Sequence, residues 1–446
     1  MTIRNRSSLL RSALLTVAAV LVLSLALHAQ DNVFTGTNTG ADRVRIAAAD
    51  FKAGSPDAVA LKRVFDTVLF SDLGNAGVFD LVSKSLQPQA TPGTPAELKL
   101  ADWGGGATNA SFVAFGSYTV ANGKSSVNGY VFDTHNAQYP QVLGKQYLDA
   151  PDESGARTVA HKFADEIILR LGGGLPGIAE SKIYYVHAAG GNKEIWAMDY
   201  DGANPHAVTH LGTISLSPRV SPDNSRIAFS SLGNDGFQIR MFSLLLNRMI
   251  AFPNSGGTNL SPAWAASGQL AYSSSRSGDP EIYVTDAGGN GARRVTTSRG
   301  PDVSPTWNPK TNSQIAWVSG RTGLPQLYTM DADGAGIVRM TDGGYATSVS
   351  WSPNGQFLAF AWDRKYGPGA PGGQDIYVME VASKKWVQLT NGVGRCDFPS
   401  WSPDGRHIAY AVGSGARAEV WTMLADGTGK HRLAGTGSDM PNWSFR

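Results

Sequence analysis

The sequence predicts an all-β six-bladed β-propeller in the carboxyl-terminal region, preceded by a small α/β domain. Three observations carry this. A strand-like unit recurs six times from Lys182 onward, with a period of mostly 42 to 44 residues. The chain finishes on half a unit, Met440-Pro-Asn-Trp443-Ser, which suits a ring closed by its last strand. Residues 43–171 lack the period and instead mix two helix-spaced stretches with five strand-like runs.

The repeat reads in order along each unit. One run is an apolar-Ala-aromatic triplet: Ile227-Ala228-Phe229, Leu270-Ala271-Tyr272, Ile315-Ala316-Trp317, Leu358-Ala359-Phe360 and Ile408-Ala409-Tyr410, with Ile183-Tyr184-Tyr185 as a divergent copy. About ten residues later comes a second run, such as Glu281-Ile282-Tyr283 or Asp375-Ile376-Tyr377. Before the triplet stands a tryptophan, at 264, 307, 351, 401 and 443, with separations of 43, 44, 50 and 42. The long interval contains the Gly- and Pro-rich loop 366–374. Val208-Thr209, Val295-Thr296, Met340-Thr341 and Leu389-Thr390 read as last strands. Asn354-Gly355, Asp404-Gly405, Asp201-Gly202, Asp333-Gly334 and Asp426-Gly427 read as two-residue hairpins with positive φ. Side chains two apart share a strand face, so each triplet sets two bulky residues on one face and alanine on the other. Stacked blades can then mate a bulky face with a small one.

Residues 1–29 read as a secretory signal peptide. Arg4, Arg6 and Arg11 precede an apolar run from Ala13 to Leu27, and Leu27-His28-Ala29 offers a cleavage site. The run has 15 residues, short of the roughly 20 that a spanning helix needs. Residues 30–42 read as a mobile tail, 43–171 as the α/β domain, 172–181 as a Gly-rich linker and 182–446 as the propeller. Within the α/β domain, strands are expected over 43–51, 78–82, 112–120, 128–133 and 141–148. Helices are expected over 57–76 and 158–171.

Composition narrows the function. The 38 basic and 36 acidic residues give a formal charge of +2, and without the three leader arginines the chain has 35 and 36, a charge of −1. Such a balance argues against a nucleic-acid binder. One cysteine, Cys396, allows neither an internal disulfide nor a cysteine-built zinc site. Gly172-x-Gly174-x-x-Gly177 follows a helix and contains Pro176, so it reads as linker and not as a dinucleotide loop. His206 and His210 fall outside any helix and lack a metalloprotease glutamate. Asp199-x-Asp201 and Asp331-x-Asp333 resemble pieces of calcium loops without the remaining ligands, and hairpins explain them. Calcium in the channel is the one cofactor left open. No G-x-S-x-G elbow is present, so no serine hydrolase is expected.

Pro399-Ser-Trp-Ser-Pro-Asp-Gly405 and Gln326-Leu-Tyr-Thr-Met-Asp331, behind an α/β domain and a leader, resemble the TolB family of the Tol-Pal cell-envelope system. The resemblance spans the mature chain. It implies a non-enzymatic, monomeric periplasmic scaffold that maintains the outer membrane and draws it inward at division. It also implies contact with the peptidoglycan-associated lipoprotein Pal at the propeller mouth, and with TolA through the tail. The corresponding residues here are Ser255, Thr258, Asn259, Arg299, Asp302, Ser304, Tyr345, Thr347, Arg395 and Asp397 at the mouth. In the tail they are Gln30, Asp31, Asn32, Val33, Phe34 and Thr35. Two units depart from the pattern, with Arg219-Val220-Ser221 for x-Trp-Ser and Ala265-Ala266-Ser267-Gly268 for Ser-Pro-Asp-Gly. A propeller that takes a small ligand or glycan in its channel is the competing reading.

Overall fold

The computed structural model describes residues 43–367 and 373–445. The leader, the tail residues Gln30 to Thr35 and part of the 366–374 loop lie outside the described residues. The α/β region holds one sheet of order β3-β1-β4-β5-β6, with β2 paired to β4. Its elements are β1 (Val44–Ala48), β2 (Lys52–Ala53), α1 (Ala58–Asn75), β3 (Phe79–Leu81), the short α2 (Leu100–Gly104), β4 (Phe112–Ala121), β5 (Lys124–Asp133), β6 (Gln141–Asp149) and α3 (Glu153–Leu171). Phe65 and Leu69 of α1 and Phe163 and Ile167 of α3 bury one sheet face against Tyr118 and Val127.

Three boundaries differ from the sequence expectation by more than one residue. The first strand stops at Ala48, because the Phe51 N–H turns to Asp66 Oδ1 at 3.1 Å. β5 starts four residues early, behind an Asn122-Gly123 turn with φ of 53° and 69°. Helix α3 starts at Glu153, because the Asp152 carboxylate accepts from the Gly155 N–H at 2.8 Å and caps it.

Six four-stranded antiparallel sheets follow, each one blade. The inner strands are Ser438–Trp443 in blade 1, then Ser215–Val220, Asn259–Trp264, Asp302–Trp307, Tyr345–Trp351 and Cys396–Trp401 in blades 2 to 6. In blade 1 the strand Ser438–Trp443 pairs with Lys182–Ala189, so the ring is closed by a strand from the far end of the chain.

The Asn-Gly and Asp-Gly turns are built differently from the two-residue hairpins expected. Only the glycines have positive φ, 73° at Gly355 and 70° at Gly405. Gly355 N–H bonds the Ser352 carbonyl and Gly405 N–H that of Ser402, which makes Pro353 and Pro403 the second residues of four-residue turns. Proline fixes φ near about −65°, which a positive-φ pair cannot accommodate. The apolar-Thr pairs also lie just past the fourth strands and not in them. The Thr296 hydroxyl accepts from Ile282 N–H at 2.8 Å and donates to Glu281 Oε2 at 2.6 Å. Thr209, Thr341 and Thr390 clasp Glu194, Gln326 and Asp375 the same way. A hydroxyl can donate and accept at once, which suits it to this joint.

Blade stacking follows the triplets. Ala359 packs against Ile408 and Tyr410 of the next blade, Ala316 against Leu358 and Phe360, and Ala271 against Ile315 and Trp317. Ala359→Phe should overpack its contact by about 1–3 kcal/mol. Thermal melting checks this, and an unchanged midpoint would count against the small-face account.

The α/β domain docks on blades 1 and 6 at the face where the inner strands end. Asn75 O lies 2.7 Å from His407 Nε2, and Arg406 donates to Gly172 O at 2.5 Å. A Cβ at Gly77, whose φ is 72°, would come within 2.8 Å of Leu424 Cδ2. At the centre of the joint Asp72 is fully buried, with His161 Nδ1 at 2.8 Å and the Tyr200 hydroxyl donating at 2.6 Å. Arg157 donates to Asp201 at 2.6 Å. The opposite propeller face stays clear of this domain.

Candidate functional site

The sequence-selected mouth residues all lie where inner strands begin, on the face away from the α/β domain. Proline shapes this region. In five blades the residue before an inner-strand proline takes positive φ: Ser217 (53°), Ser261 (53°), Ser304 (52°), Phe398 (52°) and Met440 (50°). Proline offers no N–H to the ladder and disfavours a right-handed helical residue before it, and each ladder shifts register there. Blade 5 has Val349 in place of proline; its ladder also shifts there, between Ala346 and Val349, but Ser348 is not among the positive-φ residues, so proline accounts for the backbone sign and not for the shift.

The structure gathers part of the selected set into one cluster. Asp397 Oδ1 accepts from Thr347 Oγ1 at 2.9 Å, Ser348 Oγ at 2.5 Å and Phe398 N–H at 2.8 Å, while Arg395 donates to Oδ2 at 2.8 Å. This joins blades 5 and 6 beside the channel. Gln374 extends it, donating to Thr347 Oγ1 at 2.5 Å. Ser348 and Gln374 were not singled out from the sequence, because only the cross-blade approach reveals them.

Other selected residues serve the wall. Asp302 is wholly buried, takes Arg321 at 2.9 Å and Ser298 Oγ at 3.2 Å on Oδ2, and leaves Oδ1 without a partner among the described residues. Asn259 is buried and donates to Gln238 Oε1 at 2.7 Å and to the Gly256 carbonyl at 3.2 Å, bracing its own loop. Ser255, Thr258 and Arg299 are exposed, and Ser304 is half-buried. Tyr345 sits against Tyr366, with ring centroids 5.1 Å apart. Burial pushes the Glu281 carboxyl up, its bonds to Thr296 and Ser298 pull against that, and the neighbouring Asp302 adds to the rise.

Three arginines on the same face were also missed. Arg276, Arg321 and Arg364 each stand five residues after a triplet alanine, in blades 3, 4 and 5. Their guanidinium groups lie over Tyr283 (3.7 Å), Tyr328 (5.0 Å) and Trp386 (4.7 Å). The five-residue offset was readable in the sequence, but it was masked because blades 1, 2 and 6 have Ala189, Gly233 and Ser414 there. The arrangement is a set of ring-supported cations on the face away from the α/β domain; Arg321 is also held by Asp302, and Arg364 lies 3.9 Å from Asp342.

Cys396 is buried, and burial pushes its thiol up to about 11, which leaves it unreactive at neutral pH. His206 and His210 are exposed. Among the described residues no group of three or more His, Cys, Asp or Glu side chains is placed to hold a metal ion. No helix among them is long and apolar enough to cross a membrane.

The family described as TolB beta propeller domain matches residues 171–446. The chain belongs to the TolB family. A TolB-family relative from Gluconobacter oxydans, named Tol-Pal system protein TolB, is 31% identical and aligns with 98% of this chain and 96% of its own. A TolB homolog from Chlorobium chlorochromatii is 30% identical over 67% of this chain and 66% of its own length. The crystal structure of TolB from Acinetobacter baumannii superposes with a TM-score of 0.75, covering 91% of this chain and 97% of that one at 23% identity. At that identity the TolB structure speaks for the fold, and the fold it shares includes both domains.

Proposed function

We propose that this TolB-family protein is a non-enzymatic scaffold of the Tol-Pal system in the periplasm. In this reading it acts as a monomer, binding Pal at the propeller mouth and TolA through residues 30–42. It thereby supports outer-membrane invagination at division and envelope integrity. The observation that carries the reading is the free channel mouth, with arginines 276, 321 and 364 held on aromatic rings and the Thr347–Asp397–Arg395 cluster beside them. The α/β domain occupies the other face, which leaves the mouth open to a partner. Preformed cations on a rigid rim lose little side-chain entropy on binding.

A pull-down with chains 30–446 and 43–446 tests both contacts. The longer chain should recover Pal and TolA, and the shorter should lose TolA. The double variant Arg276→Ala/Arg364→Ala should weaken Pal at least about tenfold, or roughly 1.4 kcal/mol, by calorimetry. Failure of the longer chain to recover Pal sinks the scaffold reading.

A further inference from the structure

At the channel end facing the α/β domain lies a chamber of about 310 Å³. Five blades supply its wall tryptophans, Trp264, Trp307, Trp351, Trp401 and Trp443, and blade 2 supplies Val220 instead. The missing indole leaves room, and the preceding residue is also anomalous. Arg219 stands where the other blades have Ala263, Thr306, Ser350, Ser400 and Asn442. Three of those small polar side chains accept the N–H of the next inner strand. Ser350 Oγ takes Trp401 N–H at 3.4 Å, Ser400 Oγ takes Trp443 N–H at 2.9 Å, and Asn442 Oδ1 takes Val220 N–H at 2.9 Å.

A guanidinium has no acceptor and cannot join that ring. Arg219 lines the chamber, and its NH1 donates only to the carbonyl of Pro218, at 2.8 Å. No carboxylate among the described residues lies within ion-pairing distance of it. The channel wall packs around the group while leaving it half-exposed to the chamber, and the desolvation pushes its pKa down to about 10. It therefore stays charged at neutral pH. A cation held partly out of water without a counter-charge is costly to a fold, and an anion arriving in the chamber offsets that cost.

We propose that this chamber binds a small organic carboxylate, with Arg219 holding the anionic head and the tryptophan wall covering an apolar body. One guanidinium balances one negative charge, and its planar fork matches a carboxylate, whereas a phosphate dianion would enter the enclosed site half-neutralised. The volume lies at the small end of ligand pockets, roughly 300–1,000 Å³, which fits a short alkyl chain or a single ring. This site is separate from the mouth, and its occupancy does not depend on Pal or TolA.

The test titrates the full chain with hexanoate and with 1-hexanol, followed by calorimetry and by tryptophan fluorescence. Hexanoate should saturate at 1:1, perturb the fluorescence and bind at least about tenfold tighter than the alcohol. Arg219→Met keeps the side chain's reach, should melt at or above the parent temperature, and should lose at least about tenfold in hexanoate affinity with the alcohol unaffected. Arg219→Lys should keep a preference for the carboxylate. Equal binding of acid and alcohol, full hexanoate affinity in Arg219→Met, or no saturable binding to the parent would each overturn the proposal.

Discussion

Removing residues 438–446 should abolish the cooperative unfolding of the propeller. The strand Ser438–Trp443 is the inner strand of blade 1 and ties three blades together. Trp443 is 4% exposed, its N–H bonds Ser400 Oγ of blade 6 at 2.9 Å, and its indole donates to Ser181 Oγ at 2.7 Å. Asn442 reaches Val220 of blade 2 at 2.9 Å. Ser444 and Lys182 exchange bonds at 2.8 and 2.9 Å. Losing one buried tryptophan costs about 3–5 kcal/mol. Losing the strand also opens a sheet edge and the ring, against a total stability of about 5–15 kcal/mol. Calorimetry of the truncated protein should show a broad or absent transition, and Trp443→Ala should fall between it and the parent. A truncated protein that melts like the parent would refute closure by this strand.

Asp72→Ala should cost about 3–5 kcal/mol, because it leaves buried partners behind on both sides of the domain joint. The carboxylate is wholly buried between His161 of α3 and Tyr200 of blade 1. Desolvation works against the His161 charge, but the Asp72 hydrogen bond and charge outweigh it, with help from Asp201, and the imidazole pKa is raised above 6.5. Burial raises Asp72 as well, so the pair shares one proton and titrates as a unit. Above neutrality the proton of the pair is held on His161, because the Asp72 carboxylate lies at hydrogen-bond distance from its Nδ1. Arg157, which also faces the histidine, opposes its charge but is itself held by Asp201.

A raised histidine contributes stability in full below its unfolded value near 6.5 and loses it as pH climbs through the folded value. Asp66 and Asp165, pushed up to about 6 by burial, are still roughly a quarter protonated at pH 6.5 and add to the loss over the next pH unit, so the Asp72 variant is what isolates the pair's share. Denaturant unfolding of the parent should therefore weaken from pH 6.5 upward, and Asp72→Ala should flatten that slope. A loss below about 1 kcal/mol for Asp72→Ala would mean that the joint contributes little.

Legibility differed by element. The α1 helix over 58–75 and the six blades were readable, because period 3.6 and the 42- to 44-residue repeat are local patterns that burial reinforces. The start of α3 was hidden, because its cap Asp152 precedes Gly155, a weak helix former. At the mouth, loop position selected Thr347, Arg395 and Asp397, which the fold brings together in one hydrogen-bonded cluster. It also selected Asn259 and Asp302, which are buried in the wall, since a sequence offset does not reveal which side of a loop a side chain takes.

The sequence alone determined that the chain folds as a closed ring of six repeats behind an α/β domain, because each blade restates one pattern of alternation and turns. Only the tertiary structure decided what the exceptions mean. Arg219 beside Val220 looks like a lapse in the repeat until the ring places it among tryptophans from five other blades. Asp72, His161 and Tyr200 lie as much as 128 residues apart and meet only where two domains dock. Local pattern specifies which face a side chain takes. Which distant group it then meets, and whether its charge finds a partner, depends on how the blades and the domain close upon one another.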